Sequence, residues 1–337
     1  MLPFRLGLAG AAHKLISEVI PVHEGEEVVI TCDPDTDPAV ADATAQAVHA
    51  AGAHPIVIWY ESLPHPCMEP PKALAAALAV ADVWIEYAAA YILYSAAQQA
   101  ATHAGCRYIC LPGMYADLMV RAIGQVNYQA LRAMEAKLHQ LSQKAQNVRI
   151  TSRAGTNLTV AVNPEVDPLD RPYEEGRTRV QMLAGQAGFT ALAESFAGTL
   201  VIDGSLWPPA ELGILHSPIT LTVEGGHIKE IAGGYEAESF RNWLESFAHP
   251  AMLRLDHVCY GFNPGVRRLT GCILEDERLF GCVEIGIGRT SEGAPSHSDG
   301  IVVKPSVWVD GVQLQSEGRY THPELITLCR QMGIPEY

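Results

Sequence analysis

The sequence predicts two domains: an α/β N-terminal domain with a parallel sheet over residues 1–147, and a strand-rich α+β C-terminal domain over residues 148–337. Three observations predict this. Short apolar, β-branched runs alternate with Ala-rich helical stretches early in the chain; one long run of helix formers follows; beyond it come short strands bounded by Gly, Asn and Pro.

Glu27–Cys32 (EVVITC) reads as the first strand, with Asp33–Asp37 as turn and helix cap. Ala39–Ala51 has helical spacing and closes on Gly52, where a C-cap residue belongs. His54–Tyr60 (HPIVIWY) is apolar and too short for a helix, which predicts a buried strand. Val83–Tyr87 and Arg107–Leu111 repeat the pattern after further Ala-rich helices. Strands alternating with helices predict a parallel sheet with right-handed crossovers. Residues 126–146 form a long amphipathic helix bridging to the second domain. Val148–Thr151, Leu158–Val162, Thr199–Asp203, Ile219–Val223 and Ile228–Ile231 then read as mostly antiparallel strands, the last two joined by the hairpin signal Gly225–Gly226.

Composition narrows the function. Formal charge is 23 − 38 = −15, with no basic run, which disfavours nucleic acid and anionic membrane surfaces. A small-molecule substrate is expected instead. No segment reads as a membrane span, and the apolar stretch Leu6–Ala12 is too short for a signal-peptide core. Eight cysteines without a CxxC predict reduced, buried thiols and a cytoplasmic location.

Three segments place metal-type ligands where burial demands a partner. His297-Ser298-Asp299 precedes a strand-like run, so alternate side chains aim at one point; taken alone, this is as readily a polar pair on a surface loop. His257 stands in an apolar strand that ends at Asn263-Pro264-Gly265, where backbone bonding would also satisfy it. Glu284 stands in the apolar run Cys282–Gly288. A shared metal site explains all three.

The runs LDHVCYGFNPGVRRLTGCILEDERLFGCVEIGIG and SHSDGIVVKPSVWVDG resemble the C-terminal half of the aminopeptidase T family, and more closely its oxygenase relatives, the 2,5-dihydroxypyridine 5,6-dioxygenases. Val148–Val162 is similar to the same superfamily. The resemblance implies metal ligands at His257, His297 and Asp299. A two-metal peptidase would need a Glu where His257 stands and a His where Glu284 stands, with Glu211 matching its first Glu. Two imidazoles and one carboxylate match the facial triad of non-haem Fe(II) oxygenases, although the same ligands also suit Zn²⁺.

The resemblance therefore implies an Fe(II) ring-cleaving dioxygenase acting with O₂ on a hydroxylated N-heteroaromatic such as 2,5-dihydroxypyridine. The alternatives are a metal-dependent aminopeptidase and a non-enzymatic binding protein. Glu284 is expected beside a ligand imidazole, as a fourth ligand, or as an acid/base group. With the site expected in an interdomain cleft, His103 is the candidate base, Arg267 and Arg268 candidate anchors for an anionic oxygen, and Tyr87, Tyr91 and Tyr115 candidate lining. Homo-oligomerisation is a further expectation from the superfamily.

Overall fold

The computed structural model describes residues 2–166 and 180–337. These divide into two compact units: residues 2–128 with 180–183, and residues 129–166 with 184–337.

The first unit is built on a parallel sheet ordered His54–Trp59, Glu27–Cys32, Val83–Glu86, Arg107–Cys110, Val180–Met182. Helices Pro38–Ala50, Lys72–Leu78 and Ala96–His103 form the crossovers. Asp37 caps the first of them by accepting from the Ala39 N–H, and Ser95 caps the last by accepting from the Gln98 N–H. The three inner strands from Glu27 to Cys110 are buried almost throughout, with Trp84 stacked on Tyr108 at 4.0 Å between ring centroids. His54–Trp59 departs from the expectation of a buried strand. It lies at the sheet edge, where Ile56, Val57 and Trp59 are exposed. An apolar run of six residues cannot distinguish a sheet centre from its edge. The closing strand, Val180–Met182, returns from far along the chain and has no sequence signal of its own.

Sequence places a boundary after residue 147, whereas the compact units part after residue 128. Helix Tyr128–Ser142 packs with the second unit: Leu138, His139 and Ser142 line a cavity together with Val162, Ala187, Phe189 and Tyr260, and the Ser142 and Tyr260 hydroxyls are 3.1 Å apart.

The second unit carries two antiparallel sheets. One has eight strands, ordered His227–Ala232, Ile219–Glu224, Ala197–Ile202, Asn157–Val160, Val148–Thr151, Ser306–Val309, Val312–Ser316, Arg319–Tyr320. Gly225 and Gly226 turn its first hairpin with both φ positive, as a tight turn requires. The other has six strands, ordered Gly213–Ile214, Ser205–Trp207, Ser298–Val302, Val283–Ile287, Leu255–Gly261, Gln186–Thr190. The two sheets meet closely at Gly300, where a Cβ would stand 2.6 Å from the Ile202 Cδ1. Among the described residues no helix is long and apolar enough to cross a membrane.

Candidate metal centre

Pairing in the six-stranded sheet gathers the site. Cys259 lies opposite Glu284, and Gly286 opposite Asp299, so these positions share one face. Between Leu255 and Val258 the strand carries one more residue than its partner, which spans only Ile287 to Ile285. This β-bulge falls on Asp256 and His257 and re-aims the imidazole over Gly286. A Cβ on Gly286 would stand 2.4 Å from the His257 Cε1, so only glycine leaves room for the ring.

The donor atoms converge. His257 Nε2 lies 3.2 Å from Glu284 Oε2 and 3.7 Å from Asp299 Oδ1. His297 Nε2 lies 2.9 Å from the same Asp299 oxygen. The two imidazoles stack at 5.0 Å. Outward-facing atoms are tied back: His297 Nδ1 is 2.7 Å from the Gly288 carbonyl, and His257 Nδ1 is 3.5 Å from Asp256 Oδ2. Buried Arg289 in turn holds Asp256 with a 3.5 Å contact, and its guanidinium donates to the Ala191 carbonyl. In each imidazole the Nδ1–H is thereby engaged, and Nε2 faces the cluster.

Charge within this cluster is strongly coupled. Burial works against the imidazolium form of His257, but the facing Glu284 carboxylate, Cys259 and Asp256 carry its pKa well above the ordinary range. Burial likewise opposes charge on His297, and the adjacent Asp299 carboxylate outweighs it and raises the pKa. Asp299 resists the effect of its own burial because His297 and His257 hold it ionised, below its usual range. Glu284 is fully buried, and desolvation raises its pKa against the pull of His257. Gln186 donates to its Oε2 at 3.3 Å, while Oε1 is buried without a hydrogen-bond partner among the described residues. Nearby Glu277 is pushed up to about 8, chiefly by burial, with Arg278 opposing and Asp299 and Glu284 adding to the rise.

This donor set fits a metal ion. Ligands about 2.1 Å from an ion at tetrahedral or octahedral angles stand roughly 3.0–3.4 Å apart. The nitrogen–carboxylate separations bracket that range, and a buried carboxylate oxygen is left without a partner. Ligand atoms of Asp256, His257 and His297 lie within 4.8 Å of one another, as do those of His257, Cys259 and Glu284.

Of the residues singled out from sequence, His257, His297, Asp299 and Glu284 are therefore brought together. Arg267 and Arg268 are not beside them. Both are exposed and line a separate cavity of about 320 Å³ with Lys304, Arg319 and Tyr337; Arg267 pairs with Glu336 and lies over the Phe280 ring. Glu211 is exposed in the turn after Pro208-Pro209. His103, Tyr87 and Tyr115 belong to the first unit. His103 is exposed in the last turn of its helix, with Nδ1 2.6 Å from the Gln99 carbonyl. Tyr87 is buried with its hydroxyl 2.7 Å from Thr44, and Tyr115 accepts from Arg121 at 3.2 Å. Sequence reasoning missed Asp256, Cys259, Gly286 and Arg289. Asp256 is the one with a readable signal, a second carboxylate next to the singled-out histidine.

Comparison with known proteins bears on this arrangement. A family model described as NicX: 2,5-dihydroxypyridine 5,6-dioxygenase matches residues 13–322. The 2,5-dihydroxypyridine 5,6-dioxygenase of Pseudomonas putida (strain KT2440) is 24% identical over 199 residues, covering 55% of this chain and 57% of that protein. The chain thus spans little more than half the length of this curated relative. Among solved structures, 2,5-dihydroxypyridine dioxygenase from Pseudomonas putida KT2440 superposes with a TM-score of 0.79 at 18% identity, over 95% of this chain and 99% of that one. Wild-type AmpT from Thermus thermophilus superposes with a TM-score of 0.68 at 16% identity, over 94% and 100%. Both likenesses speak to the fold.

Proposed function

From the premise that this chain belongs to the 2,5-dihydroxypyridine 5,6-dioxygenase family, we propose that it is an Fe(II)-dependent dioxygenase of the extradiol type. It opens a hydroxylated N-heteroaromatic ring such as 2,5-dihydroxypyridine with O₂. The observation that carries the reading is that His257 Nε2 and His297 Nε2 both face the same Asp299 carboxylate oxygen, at 3.7 and 2.9 Å.

Those three side chains would hold the ion, and two imidazoles with one carboxylate leave coordination positions open. Bound iron would supply the one-electron chemistry that lets O₂ react with an aromatic ring. The chain's own residues do the rest. Asp256 and the Gly288 carbonyl hold each Nδ1–H outward, so both Nε2 lone pairs would be free to hold an ion. Gln186 orients Glu284, whose unpartnered Oε1 takes the proton of a ring hydroxyl. Burial raises the proton affinity of Glu284, which suits a base. His103 is the second candidate for that step, with Tyr87, Tyr115 and Glu211 as candidates for substrate contact; Arg267 and Arg268 line a separate cavity.

His257→Ala, His297→Ala and Asp299→Ala variants, purified without air, test the reading. Each is expected to lose both bound iron and oxygen uptake with 2,5-dihydroxypyridine. Glu284→Gln is expected to keep the iron and lose turnover. Full activity in any ligand variant would overturn the ligand assignment. Two zinc or cobalt ions per wild-type chain, with release of N-terminal residues from peptides, would move the reading to a peptidase.

A further inference from the structure

Strand register places one more side chain beside the cluster. Trp207 pairs directly with Asp299, so the two project from the same face of the sheet. The row across that face runs Thr190, His257, Gly286, Asp299, Trp207, one residue from each of five strands. Leu206, one position earlier, points the other way: it is fully buried and pairs with Gly300, on the side that meets Ile202. Trp207 itself is half-buried. The Ser298 hydroxyl donates to the Pro208 carbonyl, anchoring the backbone that carries the indole next to Asp299.

The other tryptophans show what is unusual here. Trp84 stacks on Tyr108 and donates to Thr31, Trp243 sits among Phe240 and Phe247, and Trp308 lies under Arg149. Trp59 is exposed on the edge strand of the first unit. Trp207 has no ring, cation or hydrogen-bond partner among the described residues, yet it stands one strand from a proposed metal ligand. Paired strands lie about 4.8 Å apart, and aromatic rings stack with centroids about 4.5–7 Å apart. A flat ring bound at the ion is therefore within reach of this indole.

We propose that Trp207 is the aromatic wall of the substrate site, stacking on the heteroaromatic ring and selecting planar substrates. This rests on the dioxygenase reading above. Its test needs no turnover: anaerobic binding of 2,5-dihydroxypyridine to zinc-loaded protein, followed by equilibrium dialysis and by tryptophan fluorescence. Trp207→Leu is expected to weaken binding roughly ten-fold or more with zinc content unchanged, since the aromatic face on which the ring stacks is removed. Trp207→Phe keeps an aromatic face and is expected to bind within roughly three-fold of wild type, with the ring-induced quenching largely lost. Wild-type affinity in Trp207→Leu would overturn the proposal and leave the dioxygenase reading standing. Should Trp207→Leu fail to fold, quenching undiminished in Trp207→Phe would overturn it instead. No ring binding by wild type would sink both.

Discussion

Asp256 joins the candidate metal centre to the rest of the fold, since it faces His257 Nδ1 on one side and Arg289 on the other. Groups that orient a ligand imidazole contribute about 10–100-fold to metal affinity. Asp256→Asn is predicted to weaken metal binding by that order with the fold intact; an unchanged dissociation constant in a chelator competition would refute the relay. A second consequence concerns protons. Both imidazoles have raised pKa values in the metal-free chain, because facing carboxylates outweigh burial. They hold their protons to higher pH than a free imidazole does, and a metal must displace them. Affinity should therefore climb as pH rises from about 6 to 8, with protons released on binding. Flat affinity across that window would contradict the coupling. At this scale the sequence was informative where a side chain conflicted with its surroundings: a His and a Glu in apolar strands, and a His-x-Asp before another. Cys259 and Arg289 raised no such conflict. Cys259 reads as one more core thiol, and the reach of Arg289 to Asp256 is a property of the fold.

The strand Leu255–Gly261 does more than hold a ligand, because its bulge sets where His257 points. A bulge is a mismatch between two paired strands, so one strand's sequence cannot show it. The same holds for Gly286, which reads as an ordinary glycine until the strand opposite is known to place an imidazole above it. Gly286→Ala is predicted to displace the His257 ring and to cost most of the bound metal, with the melting temperature of the metal-free protein changed little. Normal metal content in that variant would show that the ring has room elsewhere. In the parallel sheet, Glu86 offers an independent check on burial. It accepts from the Tyr108 hydroxyl and the Ile92 N–H, and burial pushes its pKa from 4.5 to about 7. The folded state then binds a proton that the unfolded chain has lost, so stability falls as pH rises from about 4.5 to about 7 and is level above. Glu86→Gln lacks this titration. Its melting temperature should gain on wild type between pH 5 and pH 8, whereas parallel curves would contradict the burial argument.

Across the whole molecule, the alternation of strands and helices followed by antiparallel strands was readable from periodicity and turn residues, and many strand limits fall within two residues of those expected. What periodicity misses is pairing at a distance. Neither the edge position of His54–Trp59 nor the return of Val180–Met182 to the first sheet leaves a local trace. The helix at Tyr128–Ser142 reads from sequence as a bridge between the domains, and its apolar face does not name the unit it packs with. The candidate metal site is also a property of the whole second unit, since its proposed ligands come from separate segments of the chain. Iron bound by the folded chain alone should raise its melting temperature, with about 2.7 kcal/mol gained at a hundred-fold excess over the dissociation constant. The most direct measurement is an anaerobic titration of metal-free protein with Fe(II), assayed for O₂ consumed and 2,5-dihydroxypyridine lost. The account predicts activity that climbs linearly to one iron per chain and then stops, with one O₂ consumed per ring opened. Activity indifferent to iron, or requiring a second metal ion per chain, would contradict it.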